Sequence, residues 1–412
     1  MPAENLIVGL DIGSTAIRAI AAVAESQDKL RVRHISEHAS EGVRAGIIVN
    51  IETAMKIVQK TIEEIELETG SEVTNVYTGI GGQHIEAVRS EGVVGITGKD
   101  NEIRRGEVIR SLDVARSIDL PLDREVLHTL VQDFTIDGRS GIKDPIDMIG
   151  HRLETKVMMV TGDVTVSQNL RKCISRAGYT QQTLVLQQLA DSESVLTQEE
   201  RDIGTLLINY GGGMCNMIGY RGGAPLYVGG ISLGGNEVTS DLVYILNKPY
   251  ELVERIKKEY GSCYEEMVSD TDFITIPPVG GWPSVRMPKK ELCKIIEPRV
   301  AETFTIIKSM LQRRRVLDHV TGGIVCTGGS ALMPGIEQLA GEIFNAPVRI
   351  GTPKWIEGMP TSSLGPQYAT AVGLVLHAFS RNRDTFGSSD QERQPRKNGV
   401  VRRMKNFFDV LF

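Results

Sequence analysis

Residues 8–15 read Val8-Gly9-Leu10-Asp11-Ile12-Gly13-Ser14-Thr15. An apolar run carries a single acid, a glycine breaks it, two hydroxyls follow, and residues 16–24 resume an extended apolar pattern. The reading is strand, tight turn, strand. The turn has a chemistry of its own. Gly13 exposes backbone N–H groups as a nest for phosphate. Ser14 and Thr15 add hydroxyls, Arg18 lies within reach, and Asp11 can hold Mg²⁺, usually through water. One such hairpin is most often only a hairpin, but the sequence holds a second. A strand at 205–210 enters Gly211-Gly212-Gly213, and 214–220 returns from it. The polar residue before the turn is Asp11 in one and Asn209 in the other. Two matching hairpins predict an α/β protein of two related halves facing each other, with phosphates cradled from both sides.

A third turn, Gly328-Gly329-Ser330, follows a strand at 323–326 and precedes Met333-Pro334-Gly335. It suits a flat ring lying against backbone. Between these turns, Ala54, Ile57, Val58, Ile62 and Ile65 mark one stripe of a helix over 52–69. A buried strand covers 73–80. Residues 84–156 are more charged and predict an inserted α+β subdomain, with a helix near 105–117 and a strand at 127–136. A strand at 156–161 and helices near 166–177, 250–260, 289–317 and 367–379 complete the pattern.

Composition narrows the classes. The chain has 412 residues, of which 41% are hydrophobic and 24% charged, an ordinary globular balance with room for several domains. Its 43 glycines follow no three-residue period, which excludes collagen. The net charge of −6 excludes a chain basic overall, as a general nucleic-acid binder would be. That charge is uneven: residues 381–412 hold eight Lys/Arg against four Asp/Glu, leaving −10 on the rest. Five scattered cysteines predict a reduced chain without disulfides or zinc. The start has no basic, apolar leader pattern, and no run reaches the ~18 apolar residues of a membrane span. No phosphate-binding Gly-x-x-x-x-Gly-Lys-Ser/Thr occurs, since Gly98-Lys99 is followed by Asp100. Gly230-Ile231-Ser232-Leu233-Gly234 formally matches a hydrolase nucleophile elbow, but short Gly/Ser matches arise by chance in so glycine-rich a chain.

The end of the chain carries a different signal. Residues 381–399 are polar and predict a disordered linker. Beyond it, Val400, Met404, Phe407, Phe408 and Leu411 fall on one helical stripe, beside Arg402, Arg403 and Lys405. An amphipathic helix of this kind lies in an anionic membrane surface. One short helix binds modestly, so self-assembly would strengthen it by avidity.

Together these segments resemble the superfamily of actin, sugar kinases and heat-shock chaperone ATPases. Residues 8–14 resemble its first phosphate motif and 184–196 its first connecting segment. Residues 206–217 resemble its second phosphate motif, 323–335 its adenosine motif and 367–376 its second connecting segment. Within that superfamily the chain is similar to the FtsA family over nearly its whole length. The marks are His84-Ile85, Val126-Leu127-His128, Ile136-Asp137-Gly138, Asp144-Pro145, residues 194–201, Val238-Thr239-Ser240-Asp241, Val279-Gly280-Gly281 and Ile296-Glu297-Pro298-Arg299.

The resemblance implies a two-lobed actin-like ATPase fold with an inserted subdomain. The first lobe's main subdomain would comprise 1–83, 157–193 and 362–380, with the insertion at 84–156. The second lobe would comprise 194–228 and 297–361, with a smaller subdomain at 229–296. The linker (381–399) and a membrane-targeting helix (400–412) would follow. It also implies ATP and Mg²⁺ held by Asp11, Gly13, Ser14, Thr15, Arg18, Gly211, Gly212, Gly213, Asn236, Gly328, Gly329, Ser330 and Met333. Glu254 and Lys257 would meet the ribose and adenine. The implied role is polymerisation, recruitment of the tubulin-like FtsZ by its tail, and attachment of the division ring to the cytoplasmic face of the cell membrane. Arg286, Glu297, Arg299 and Glu302 are candidates for the FtsZ contact. Other division proteins are expected partners.

One departure affects chemistry. The family's second phosphate motif usually reads Asp-x-Gly-Gly-Gly-Thr, with another acid two residues on; here those positions are Asn209, Met214 and Asn216. Asparagine accepts hydrogen bonds but brings no charge and is a poor base. Nucleotide binding is therefore expected to persist or weaken and hydrolysis to be very slow, without significant enzyme activity. Of the candidate catalytic residues Asp11, Asn209 and Gln187, none is assigned a definite role, and a structural role for Gln187 fits its position equally well. The rival readings are a sugar-type kinase, which Asn209 and the tail oppose, and an actin-like assembly protein of a pilus or secretion machine, which would not need the tail.

Overall fold

The protein is described by a computed structural model covering residues 6–98, 100–278 and 283–386. The first strands are β1 (Leu6–Ile12), β2 (Ala16–Ser26), β3 (Lys29–Ala39), β4 (Val43–Arg44) and β5 (Ile47–Ile48), followed by α1 (Ile51–Thr69) and β6 (Asn75–Ile80). The inserted segment holds β7 (Glu86–Gly95), α2 (Arg105–Arg116), β8 (Arg124–Ile136), β9 (Arg139–Ile142) and β10 (Arg152–Asp163). The chain returns through α3 (Val164–Arg176), β11 (Thr180–Leu186), α4 (Gln187–Val195) and α5 (Gln198–Ile203). The second half opens with β12 (Leu206–Tyr210), β13 (Cys215–Arg221), β14 (Ala224–Ile231), α6 (Gly235–Leu246) and α7 (Tyr250–Tyr260). It continues through β15 (Phe273–Ile276), β16 (Val285–Pro288), α8 (Lys289–Arg313), β17 (Ile324–Thr327), α9 (Ile336–Phe344), β18 (Val348–Ile350) and α10 (Ala369–Phe386).

Two five-stranded sheets share one plan. The first runs β11-β6-β1-β2-β3 and the second β14-β13-β12-β17-β18. In each, three consecutive strands form an antiparallel meander and two later strands add in parallel beside its first strand. The twin hairpins of the sequence are thus the central strands of twin sheets.

Alternation along β1 sets the site. Val8, Leu10 and Ile12 enter the core shared with α1 and α3, while Ile7 joins the core built with α10. Asp11 falls on the α10 side with Ile7 and Gly9. A Cβ on Gly9 would lie 2.9 Å from Val375 Cγ2, so glycine lets the strand lie directly on α10. In β12, Leu206, Ile208 and Tyr210 fill the second half's core, which leaves Asn209 on the opposite side, toward the first half. Helices α4 and α10 cross between the halves at a point where a Cβ on Gly373 would meet Ala190 O at 1.9 Å. The inserted segment has its own four-stranded sheet, β7-β10-β8-β9, with α2 packed over Ile103, Phe134 and Leu153.

Several expectations shift. Helix α10 continues to Phe386, six residues into the stretch read as a linker. Its first turns are anchored in the core, and a formed helix extends at little further cost. The remainder of that linker and the helix at 400–412 lie outside the described residues. Strand β10 runs from 152 to 163, so the expected boundary at 156 falls within a strand paired on both sides. Helix α8 stops at Arg313, short of the expected 317. No helix among the described residues is long and apolar enough to cross a membrane.

Candidate functional site

The two glycine turns close in the same way. Gly13 N–H donates to Ala16 O at 3.1 Å, and Gly211 N–H donates to Met214 O at 2.9 Å. Each closure leaves the next two N–H groups, those of Ser14, Thr15, Gly212 and Gly213, without an acceptor among the described residues. The turns approach until a Cβ on Gly212 would lie 1.8 Å from Thr15 Oγ1, and one on Gly213 2.7 Å from Ser14 Oγ. Glycine is required by that proximity. Four unpaired N–H groups from two facing turns form a concave anion site.

Around this point lies a cavity of about 370 Å³. Asp11, Gly13, Ser14, Thr15 and Arg18 line it from the first half, and Asn209, Gly211, Gly212 and Gly213 from the second. Glu254, Lys257, Gly328, Gly329, Ser330 and Met333 form its far end. The structure therefore brings together every residue read as nucleotide-binding except Asn236. That residue opens α6 behind the turn, where its N–H and that of Gly235 donate to the carbonyls of Gly212 and Gly211. The sequence reading missed Glu37, Lys258, Gln367 and Thr370, which also line the cavity.

Several of these residues have different partners from those expected. Arg18 makes a two-pronged bond to Glu37 at 3.0 and 3.1 Å and lies over the Tyr368 ring, so its guanidinium is already paired at the wall of the cavity. Ser330 donates its hydroxyl to Gly211 O at 2.8 Å and ties the third glycine turn to the second. Lys257 is buried, and its ammonium faces Gly235 O (2.8 Å), Thr239 Oγ1 (2.7 Å) and Glu254 Oε2 (2.7 Å). Three donors face three acceptors, which leaves none for a ribose. Burial pushes the Lys257 ammonium below its usual range, against the pull of Glu254.

Helix α4 supplies the polar heart of the site. Gln187 Nε2 donates to Asp11 Oδ1 at 3.1 Å, and its Oε1 accepts from Asn216 Nδ2 at 2.9 Å. Asn216 Oδ1 in turn accepts from Gly82 N–H at 2.9 Å and from Gln188 Nε2 at 3.3 Å. Gln187 and Asn216 are thus fixed in orientation by their neighbours. Met214 turns its sulfur toward Gly46 and Asn216, so a thioether fills the space near the turn.

Two acids sit at this level. Asp11 is buried, and its carboxyl is pushed up to about 6 by burial, with Arg18 and the Gln187 hydrogen bond pulling the other way. Asp191, one turn along α4 from Gln187, is pushed up to about 7 by burial, against hydrogen bonds from Thr370 and Asn209. Nothing in the sequence marked Asp191, because an acid within a short helix ordinarily faces solvent. Asp11 presents a single buried carboxylate whose charge is only partly compensated. That donor set fits Mg²⁺, which takes one or two carboxylates together with substrate phosphates and water.

The charges read as partner contacts are partly occupied within the chain. Arg299 is clamped by Asp241 on α6, at 2.5 and 3.0 Å. Glu297 accepts from the Glu265 N–H at 2.8 Å. Glu302 is exposed, while Arg286 is exposed and lies over the Phe273 ring at 4.4 Å.

With this geometry in view, comparison with known proteins adds two matches to family models. One, described as "Cell division protein FtsA", covers residues 206–373, and one described as "SHS2 domain inserted in FTSA" covers residues 82–161. A relative from Borreliella burgdorferi called "Cell division protein FtsA" is 38% identical over 406 residues, spanning 98% of each chain. Relatives of the same name from Pseudomonas aeruginosa and Escherichia coli (strain K12) are 35% and 31% identical, over 99% and 95% of this chain and 98% and 94% of their own. Among solved structures, a "PilM-PilN type IV pilus biogenesis complex" aligns with a TM-score of 0.64 at 16% identity, over 90% of this chain and 98% of that one. MreB5 of Spiroplasma citri bound to ADP aligns at 0.55 and 12%, over 93% of this chain and 99% of that one. These structures establish the actin-like fold.

Proposed function

Because the chain belongs to the FtsA family of cell division proteins, we propose that it is the actin-like, nucleotide-binding scaffold that ties the division ring to the membrane. The observation that carries the nucleotide part is the pair of identically closed glycine turns, whose free N–H groups meet across one cavity. ATP phosphates lie between those turns, and the ring system lies against Gly328 and Gly329. Mg²⁺ is held through Asp11. The solved structures of Spiroplasma citri MreB5 are bound to ADP or AMPPNP, which supports this reading.

On this reading hydrolysis is slow, because Asn209 and Asn216 stand where the second phosphate motif usually has acids. Beside Asp11 the cavity is lined by Gln187 and Asn216, both neutral amides held by each other and by Asp11 and Gly82. Neither can take up a proton at neutral pH. The nucleotide therefore serves assembly into filaments more than turnover.

The tail stripe formed by Val400, Met404, Phe407, Phe408 and Leu411, with Arg402, Arg403 and Lys405, binds the cytoplasmic face of the membrane. The segment carrying Arg286 and Glu302 receives the FtsZ tail. The test is co-sedimentation of FtsZ with anionic vesicles, comparing the full chain with a truncation after Phe386, beyond the last described helical residue. The full chain is expected to carry FtsZ down and the truncation to leave it in solution. FtsZ pelleting with the truncated chain would overturn the anchor role.

A further inference from the structure

Asn209 lacks the charge expected before the second glycine turn, yet a carboxyl stands directly behind it. Asp191 Oδ2 accepts from Asn209 Nδ2 at 2.8 Å, and Asp191 Oδ1 accepts from Thr370 Oγ1 at 2.6 Å. Asn209 Nδ2 also donates to Thr370 Oγ1 at 3.2 Å, which closes a three-membered ring of hydrogen bonds. The ring draws on α4, β12 and α10, and therefore on both halves of the molecule. Asp191 is 1% exposed and does not itself line the cavity, whereas Asn209 and Thr370 do.

The ring determines how Asn209 faces the cleft. Both of its amide protons are directed at Asp191 and Thr370, so its oxygen is turned the other way. A Cβ on Gly328 would lie 2.2 Å from Asn209 Oδ1 and one on Gly211 4.0 Å from it, which places the oxygen between two turns that line the cavity. It has no donor among the described residues. A lone acceptor at the phosphate end disfavours a bare phosphate oxygen and favours a donor such as the water of a hydrated cation.

We propose that Asp191 is a positioning residue that holds the Asn209 amide oxygen toward the cleft, and so makes this site select a nucleotide carrying a hydrated divalent cation over the free nucleotide. The proposal rests on the nucleotide reading above. It assigns the second acid of the site to α4, where the sequence motif places none. It also reverses a simple expectation: restoring an acid at position 209 alone sets two carboxyls about 2.8 Å apart in a buried space, where both cannot ionise.

The experiment uses the full chain in four forms: wild type, D191N, N209D and D191N/N209D. ATP binding is titrated calorimetrically with and without Mg²⁺, and each nucleotide-free form is melted. In D191N the new amide donates to position 209, the Asn209 amide turns over, and a donor faces the cleft. The affinity for ATP with Mg²⁺ is expected to fall about ten-fold, the scale of one lost hydrogen bond, while affinity without Mg²⁺ stays level or rises. N209D is expected to melt lower than wild type. D191N/N209D is expected to recover most of that loss, because the amide introduced at position 191 can donate to the carboxylate introduced at position 209. Equal weakening with and without Mg²⁺ in D191N would overturn the selective role. Additive melting shifts without recovery would show that the two positions are uncoupled and overturn the positioning role. Wild type that binds no ATP in either condition would sink the nucleotide reading and the selection built on it, while the melting cycle still decides whether Asp191 and Asn209 are coupled.

Discussion

Replacing Lys257 by methionine separates two accounts of that residue. The side-chain length is nearly kept, but the ammonium is lost. Gly235 O and Thr239 Oγ1 then lose a donor, and Glu254 keeps only Thr239 and Lys258, the latter at 3.2 Å. Removing one partner of a buried pair costs about 3–5 kcal/mol. Glu254 is 16% exposed and retains a second cation, so the low end applies, about 3 kcal/mol. For a cooperative unit of about 150–250 residues each kcal/mol moves the melting midpoint by about 2–4 °C, giving a fall of about 6–12 °C. The assay is calorimetric melting of the nucleotide-free protein, with E254Q/K257M as a companion that removes the leftover charge and recovers part of the loss. A K257M protein that melts with the parent but no longer binds ATP would refute the reasoning. It would show the lysine to be a free nucleotide ligand and not a pin between α6 and α7.

Two further outcomes follow from packing and charge. In G92A the new Cβ would meet Ser111 O at 1.9 Å and Ala115 N at 2.7 Å, so α2 must lift from β7. A loss of about 3 kcal/mol is expected, read as faster amide exchange in residues 86–163 with exchange in β12 unchanged. The second outcome concerns pH. The folded-state values of Asp11 and Asp191, about 6 and about 7, lie above the ordinary 3.8. Between these limits the folded state holds more protons than the unfolded state, so their contribution to stability falls as pH rises from about 4 to about 7 and is level above. Burial lowers His84, which has the opposite slope near its ordinary value of 6.5. The comparison is therefore between wild type and D191N in urea midpoints from pH 5 to 8, in which His84 cancels. The wild-type midpoint should rise relative to that of D191N as pH falls through about 7, and a difference that stays flat would count against the buried, protonated carboxyl.

The parts of the site legible in sequence were those marked by glycine. Gly13, the 211–213 triplet and Gly328-Gly329 stand out because a turn that approaches a neighbour within a side chain's width leaves no room for a Cβ, and the flanking apolar runs declare the strands. Orientation was not legible. That Arg18 turns to Glu37, that Lys257 points inward, and that Asn216 faces Gln187 depend on partners far along the chain. Asp191 was invisible for the same reason, since its burial comes from α10 and β12 and not from its neighbours on α4. Strand β7, Glu-Ala-Val-Arg-Ser-Glu-Gly-Val-Val-Gly, escaped because only one of its residues is buried and its alternation is too weak to read. The end of α10 escaped because residues 380–386 carry no apolar stripe of their own and continue a helix nucleated upstream.

The crossing at Gly373 and Ala190 limits how the two halves can move. With a carbonyl seated where a side chain would stand, translation of α4 along or across α10 meets hard backbone almost at once, whereas a twist about the point of contact leaves the spacing unchanged. Gln187, Gln188 and Asp191 ride on α4 within a turn of this point, and Thr370 rides on α10. A small rotation there alters the phosphate end little but sweeps the outer subdomains through a wide arc. The crossing is the fulcrum by which a small turn at the cleft is enlarged at the edges of the two halves.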